Sequence, residues 1–305
     1  MIRAWMRDHK SRDFVDKTST EAEAVSRFVK DGDYLSFDFS SFTRGPLCLI
    51  REIIRQGRRN LWYCAKFTLM ESTLLAAAGA VSKIDVGFMG LGETLNRAVE
   101  AGQIQVSEWT NGTLTLRHQA GAMGLPFLPT RALLGSDTLT YSGAKVVRDP
   151  FGGKPVALVP ALNPEVGLIH VHQADVYGNA RCFGPGVSPL ETAMASRRVI
   201  ISADEIIDHD DIRRDPAKTT IPYYMVDAVV FAPFGAYPGG VQGLYEMDFE
   251  HFGEYNTLER QGRLKEYLDK YVYSVGSNTE MLEKRVGLER LNGLRRRATI
   301  REGYR

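Results

Sequence analysis

The chain has 305 residues, 44% of them hydrophobic, and its 38 Lys and Arg residues nearly balance its 37 Asp and Glu residues. This length and composition allow one generous α/β domain or two small ones, and the net charge of +1 gives no global field to attract nucleic acid or a membrane. The three cysteines are odd in number and lack a CxxC pattern, which predicts a reduced cytoplasm and no zinc site. The amino terminus is charged and no apolar run is long enough for a bilayer span, so we expect a soluble, cytoplasmic protein.

Helix and strand signals alternate through the first part of the chain. Helical stretches place their apolar residues on one face, whereas the stretches between them are short and rich in β-branched and aromatic residues. This alternation predicts an α/β fold built on an open, mostly parallel sheet with flanking helices. We predict helices at 20–30, 47–56 and 71–80 and strands at 34–39, 60–65 and 84–88.

The polar loop after the first of these strands contains Ser41, Phe42, Thr43 and Arg44. Its hydroxyls, guanidinium and backbone N–H groups suit a carboxylate, so we predict that these four residues bind substrate. Arg44 is the leading candidate for gripping a substrate carboxylate. The alternative is a surface arginine paired with a nearby acid.

Residues 106–131 combine a strand end, a polar turn, a helix and the next strand. The turn Thr110-Asn111-Gly112 precedes a helix that we expect to begin near Thr113 and to stop at Gly124. Asn111 and Thr113 therefore fall between the carboxyl end of a strand and the amino end of a helix, where α/β sheets bind ligands and N–H groups face anions. The alternative is an ordinary capped helix.

The pattern continues less regularly after this helix. Arg131 follows a predicted strand at 126–130 and is a second candidate for anion binding, with a structural role as the alternative. Residues 142–155 are rich in Gly, Pro and charge and predict a surface loop. Strands are then predicted at 166–175, 197–206 and 226–233, with a helix at 189–196 and a charged helical pattern from residue 256 onward. That pattern closes on a short basic run, Leu294 to Arg297, which we interpret as solvated or interfacial and not as a nucleic-acid site.

Two further signals are weak. Gly90-Leu91-Gly92 lacks the third glycine and the acidic residue of the dinucleotide fingerprint. His170 and His172 alternate on one side of a strand, but no third ligand follows at a convincing spacing. We therefore predict neither a nicotinamide cofactor nor a metal site.

Two stretches of the chain are similar to a known family. Asn111-Gly112-Thr113-Leu114, followed by Gly121 to Phe127, resembles the A-type signature of the family I coenzyme A transferases, especially of the glutaconate CoA-transferase-like members. The stretch from His172 to Asn179 resembles another characteristic segment of these A-type chains. Within it, Asp175 and Asn179 look structural, tying the turn by side-chain to backbone hydrogen bonds.

The chain also departs from the family pattern. Many members have Gln where this chain has Asn111, which is a shorter amide with the same donors and acceptor. A glycine-rich loop of the Gly-Gly-Phe type stands where this chain has Ser40-Ser41-Phe42. The resemblance nevertheless covers most of 20–232 and implies an amino-terminal extension at 1–19, a CoA-transferase domain at 20–256 and a helical carboxyl-terminal extension at 257–305.

The resemblance implies transfer of coenzyme A between carboxylic acids, with a CoA thioester as substrate and no permanently bound cofactor. In the family a glutamate of the B-type subunit is the nucleophile, and this chain contains no matching motif. The resemblance therefore implies a B-type partner and a hetero-oligomer, expected to be α2β2. Asn111, Gly112 and Thr113 would position the thioester oxygen. Arg44 and Arg131 suggest a dicarboxylic substrate, and Gln173 or His172 is expected to reach the site.

Two other functions stay open. The same fold could hydrolyse an acyl-CoA, cleave a ring carbon–carbon bond by hydrolysis or decarboxylate a CoA thioester, and the partner's sequence would decide between these reactions and transfer. Glu108, the carboxylate nearest to the polar turn, could then be a local base, although we interpret it as structural. A non-catalytic ligand-sensing domain is the alternative from another class.

Overall fold

A computed structural model describes residues 2–38, 42–90, 92–184 and 187–298 of the chain. Within these residues the strands and helices alternate as the sequence predicts. The strands are β1 (Thr18–Ser19), β2 (Tyr34–Phe37), β3 (Leu61–Ala65), β4 (Val81–Val86), β5 (Gln105–Glu108), β6 (Phe127–Thr130), β7 (Lys145–Arg148), β8 (Pro155–Pro160), β9 (Val166–Ala174), β10 (Ala180–Arg181), β11 (Arg198–Ile206) and β12 (Ala228–Phe231).

Helices precede, separate and follow these strands along the chain. They are α1 (Ile2–His9), α2 (Glu21–Phe28), α3 (Leu47–Arg55), α4 (Met70–Ala77), α5 (Glu93–Glu100), α6 (Asn111–Met123), α7 (Thr138–Tyr141), α8 (Pro189–Ala195), α9 (His209–Arg214), α10 (Phe249–Arg260), α11 (Leu264–Leu268), α12 (Asn278–Met281) and α13 (Leu288–Ala298). Short 3-10 turns lie at Pro216–Lys218 and Tyr223–Met225, and π-helical turns at Asp269–Tyr273 and Leu282–Val286.

The main sheet has the order β1-β12-β11-β9-β2-β3-β4-β5, with β10 added antiparallel to β9. All other neighbouring pairs in it are parallel, which confirms the predicted open α/β sheet. The chain builds β2 to β5 in one direction and β9, β11 and β12 in the other. The strand order therefore reverses between β2 and β9, and such a reversal opens a crevice at the carboxyl ends of the strands.

The second sheet was not foreseen. β6, β8 and β7 form a three-stranded antiparallel sheet. The prediction of a surface loop over 142–155 is therefore wrong for Lys145–Arg148, which pairs residue by residue with β8. All four residues of β7 are exposed, so the strand lacks the buried alternating face by which sequence patterns reveal strands.

Hydrophobic residues on both faces of the main sheet form the core. In β9 the neighbours Leu168 and Ile169 belong to two different buried clusters, one on each face. The carboxyl-terminal helices complete the cluster that contains Leu168, since Tyr267 and Leu294 are buried in it. At the other end, β1 pairs with β12, so the sheet already begins inside the segment 1–19. The proposed division into 1–19, 20–256 and 257–305 stays a prediction.

Some predicted boundaries shift by a few residues. β2 ends at Phe37, and the rest of the strand predicted at 34–39 falls partly on residues outside the described ranges. Among the described residues, no helix combines the length and the apolar character needed to cross a membrane.

Candidate active site at the carboxyl end of the sheet

A narrow crevice opens where the strand order reverses. It lies beside the carboxyl ends of β2 and β3, next to β9 in the sheet. Both hydrophobic and charged side chains line it, and the position matches the ligand site of open α/β sheets. The lining residues are Phe37, Asp38, Tyr63, Cys64, Ala65, Lys66, Phe67 and Val187.

The start of α6 is fixed by a reciprocal cap. The Thr113 N–H donates to Thr110 Oγ1 at 3.0 Å, and the Thr110 N–H donates to Thr113 Oγ1 at 2.8 Å. The helix consequently begins at Asn111, two residues before the predicted start. Because the Thr113 N–H is already bonded, Thr113 holds the helix start and its amide is not open to an oxyanion. The amides of Asn111 and Gly112 are the first-turn donors that remain.

Asn111 presses its side chain against Gly87, the residue that follows β4. A Cβ added to Gly87 would lie 2.1 Å from Asn111 Oδ1 and 2.9 Å from the Asn111 nitrogen, so this contact requires glycine. Asn111 Oδ1 is buried and accepts no hydrogen bond from any described residue. Buried polar atoms are nearly always bonded, and an exception at a sheet's ligand-binding edge points to a missing ligand or water.

Lys66 is a functional candidate that the sequence analysis missed. Its side chain is buried at the end of β3 and its ammonium donates to the Ser188 hydroxyl. Burial lowers the pKa of Lys66, partly offset by the thiol of Cys64 and the carboxylate of Asp38. The signal for it was a charged residue directly after the strand predicted at 60–65, a place where side chains reach the crevice.

Arg44 lies inside the protein. It has a positive φ of 52° and its guanidinium, 1% exposed, pairs with Asp38 at 2.8 Å and donates to the His170 carbonyl at 3.2 Å. The other Asp38 oxygen accepts from the Ser188 N–H at 2.9 Å. This arrangement favours the alternative of an arginine paired with an acid, buried instead of on the surface, and the carboxylate-gripping role of Arg44 stays a prediction.

The other residues of the predicted substrate loop divide. Ser41 lies outside the described residues. Phe42 is 43% exposed, packs edge-on against Phe252 at 5.3 Å, and its carbonyl accepts from Gly240. Thr43 forms a parallel bridge with the same glycine. Phe42 and Thr43 thus anchor the loop, and nothing in their contacts brings them into the crevice lining.

Two of the predicted substrate-binding residues are not part of the crevice lining. Arg131 is exposed and directly follows β6 of the small sheet. Gln173 donates its amide to Glu205 at 2.9 Å on the neighbouring strand β11. Glu108, at the end of β5, is exposed.

The histidines of β9 are held by protein groups. His170 bonds to Ser202 and Asp204, each at 2.9 Å, and His172 bonds to the Gln242 carbonyl at 3.0 Å. The turn that follows is built as expected, because Asp175 accepts from the backbone and side-chain amides of Asn179 at 2.8 and 2.7 Å. The structural interpretation of Asp175 and Asn179 is confirmed.

Known proteins are similar to this chain in sequence. The profile of the Coenzyme A transferase family matches residues 18–232. The A-type chain of glutaconate CoA-transferase from Acidaminococcus fermentans is 28% identical over 92% of this chain and 95% of its own length. The A-type chain of 3-oxoadipate CoA-transferase from Pseudomonas knackmussii is 32% identical over 87% and 96%, respectively. The cholesterol ring-cleaving hydrolase IpdA subunit of Rhodococcus jostii is 32% identical over 69% of this chain and 77% of its own length.

Solved structures agree with these sequence matches. The crystal structure of glutaconate coenzyme A-transferase from Acidaminococcus fermentans superimposes with a TM-score of 0.85, at 28% identity, over 91% of this chain and 95% of that one. A variant of the decarboxylase AibA/AibB superimposes with a TM-score of 0.75, at 31% identity, over 84% and 98%. The resemblance noted at Asn111 and His172 is thereby confirmed, and the chain belongs to the coenzyme A transferase family.

Proposed function

We propose that this chain is the A-type half of a two-chain enzyme that transfers coenzyme A between carboxylic acids, with dicarboxylic acids as substrates. The observation that carries the proposal is the capped amino end of α6, where the N–H groups of Asn111 and Gly112 remain available as donors at the carboxyl edge of the parallel sheet. The relatives named as A-type chains of glutaconate and 3-oxoadipate CoA-transferases support the reaction and the substrate class.

In the proposed reaction the partner supplies the nucleophile, as the family resemblance implies. A glutamate carboxylate of the B-type partner attacks the thioester carbonyl, forms an acyl–glutamyl anhydride and releases the CoA thiolate. The thiolate then attacks the glutamyl carbonyl, forms a glutamyl-CoA thioester and frees the first acid. The incoming carboxylate reverses both steps and leaves as the new acyl-CoA. This relay divides one difficult exchange into easier steps.

The role of this chain is to hold the oxygen on which negative charge develops. The Asn111 side-chain amide and the N–H groups of Asn111 and Gly112 stand together at the positive end of a helix of 13 residues. Donors fixed before the reaction stabilise an oxyanion without reorganising, and each is worth about 10²–10³ in rate. The cap between Thr110 and Thr113 keeps these donors in place.

The crevice itself contains one carboxylate among its described lining residues, Asp38, and that group is already engaged. One oxygen pairs with Arg44 and the other accepts from Ser188, so Asp38 is poorly placed to attack a substrate carbonyl. The engaged state of Asp38 supports a nucleophile supplied by a second chain. We propose a hetero-oligomer with the cleft between unlike chains, in an α2β2 assembly.

Hydrolysis or decarboxylation of a CoA thioester is the second candidate. Its support is the similarity to a ring-cleaving hydrolase subunit and to a decarboxylase on the same fold. The partner's sequence separates the candidates, because a glutamate at its catalytic position favours transfer and another residue there favours the other reactions. Glu108 would then be the carboxylate of this chain to examine as a base.

Co-expression of the chain with the product of its neighbouring gene tests the proposal. We expect the purified complex to exchange CoA between a dicarboxylic acyl-CoA and acetate or succinate, and each chain alone to be inactive. Turnover by the single chain would contradict the shared site. Ligand binding by the complex without turnover would instead support the sensing domain.

A further inference from the structure

The crevice contains a buried lysine that forms no ion pair among the described residues. Lys66 donates to the neutral hydroxyl of Ser188 and forms no ion pair with a carboxylate among the described residues. An ammonium has three donors, so this one keeps hydrogen-bonding capacity that Ser188 does not use. We propose that Lys66 binds the free carboxylate of a dicarboxylic acyl group, the end that is not joined to CoA.

The acid that shares the crevice lining with Lys66 is bonded to other groups. Asp38 is the carboxylate that shares the crevice lining, and it is paired with Arg44 and bonded to the Ser188 N–H. The one carboxylate of the described crevice lining is thus engaged by Arg44 and Ser188 and makes no ion pair with Lys66. A buried charge is costly unless it is paired, and a bound carboxylate would supply the pair through a charge-assisted hydrogen bond.

The position of Lys66 suits a substrate with two functional ends. Its backbone carbonyl would lie 3.0 Å from a Cβ on Gly87, the same point that touches Asn111 Oδ1. Lys66, which would bind the distal carboxylate, therefore lies directly after β3, and its backbone is close to the oxyanion donors at Asn111. Phe67, 40% exposed, follows Lys66 and lines the same crevice, giving an apolar wall for the carbon chain between the two ends.

This inference rests on the proposed function for its substrate, and its test compares two acceptors. In the complex with the partner, glutarate and butyrate differ by a second carboxylate. We expect Lys66→Met to lower the ratio of kcat/KM for glutarate to that for butyrate roughly 10–100-fold, the range of a hydrogen bond to a charged group. Lys145→Met, on the exposed strand β7, is the matched control and should leave the ratio as it is.

A second variant separates recognition from structure. Ser188→Ala removes the hydroxyl that holds the ammonium but keeps the charge, so the preference for glutarate should persist. The inference is wrong if Ser188→Ala lowers the ratio as much as Lys66→Met does. It is also wrong if Lys66→Met lowers kcat/KM for both acceptors equally, because Lys66 would then act on the structure of the site and not on the second carboxylate.

Binding measurements keep the two proposals apart. Calorimetric titration of the complex with glutarate should show weaker binding in Lys66→Met than in the wild type, even where no CoA exchange is detected. Absence of exchange with this difference present would overturn the transferase reaction alone. Equal glutarate binding by both proteins would overturn the Lys66 site alone.

Discussion

Two sets of buried polar residues lie at the same edge of the main sheet, and they differ in how fully they are bonded. Near β9 and β11, His170 bonds to Ser202 and Asp204, and the second Asp204 oxygen accepts from the Phe234 N–H at 2.7 Å. Near β3 and β4, Asn111 Oδ1 accepts nothing from the described residues and Lys66 has only a hydroxyl.

The difference indicates that the first set stabilises the fold and that the second set binds a ligand. A polar group that is satisfied by its own protein stabilises the fold and gains nothing from a ligand, whereas a buried group left unsatisfied costs free energy until a ligand arrives. Arg44 belongs to the first set through its pair with Asp38. We therefore expect substitutions in the first set to change stability and substitutions in the second to change catalysis.

The largest expected effect is on stability, from Arg44→Met. Removing one partner of a buried ion pair leaves the Asp38 carboxylate uncompensated, which costs about 3–5 kcal/mol in the free energy of unfolding. Urea denaturation followed by circular dichroism measures it. Arg131→Met, at an exposed position, is the control and should change that free energy by less than about 0.5 kcal/mol. A loss below about 1 kcal/mol in Arg44→Met would place this arginine in the second set.

Asn111→Ala should show the reverse pattern. We expect kcat of the active complex to fall by about 10²–10³, because the substitution removes an oxyanion donor. Stability should change little, since the buried side-chain oxygen has no described partner to lose. Asn256→Ala, at an exposed position on α10, controls for loss of an amide. Unchanged turnover in Asn111→Ala would refute the oxyanion assignment.

Acid should lower the stability of the folded chain through two buried histidines. Burial lowers the pKa of His118 to about 3, and its ring bonds to Ser36 and to the Leu114 carbonyl; burial also lowers the pKa of His251 to about 3. The folded protein keeps both rings neutral, whereas the unfolded chain protonates them below about pH 6.5. Stability therefore falls as pH drops from about 6.5 toward 3, by about 2 kcal/mol per histidine at pH 5.

Urea midpoints at pH 7.5 and pH 5 test this dependence. His118→Gln and His251→Gln should each be less stable at pH 7.5 than the wild type, because a buried bond is lost, but should lose less on acidification. If the wild type and both variants lose the same free energy between the two pH values, these histidines are not the acid-sensitive groups.

The parallel sheet was predictable because its strands carry continuous or alternating apolar residues, as in Val166–Ala174, and because helices separate them. β7 was not predictable, since all of its residues are exposed and its strand character comes from pairing with β8. A hydrophobic pattern in the sequence reflects which residues are buried. An exposed antiparallel strand therefore has almost no such pattern.

The candidate site was predictable only in part, for the same reason. Asn111 stands out because strand end, turn and helix start meet within a few residues. Arg44 pairs with Asp38, which is close to it in the sequence. Lys66 contacts Ser188, which is 122 residues away in the sequence. No spacing rule within one chain could indicate which cation would be neutralised and which would not.

The smallest effect is expected from Gln173→Ala. The Gln173 amide donates to Glu205 at the partly exposed ends of their strands, and such surface bonds contribute less than about 1 kcal/mol. We therefore expect kcat/KM of the complex to change less than about threefold, with Glu205→Gln as the matched control that keeps the shape of the pair. A loss of about tenfold or more in Gln173→Ala alone would mean that the partner closes over β9 and extends the ligand-binding set to residues that the single chain satisfies by itself. The division between bonded and unbonded groups would then describe the isolated chain and not the assembled enzyme.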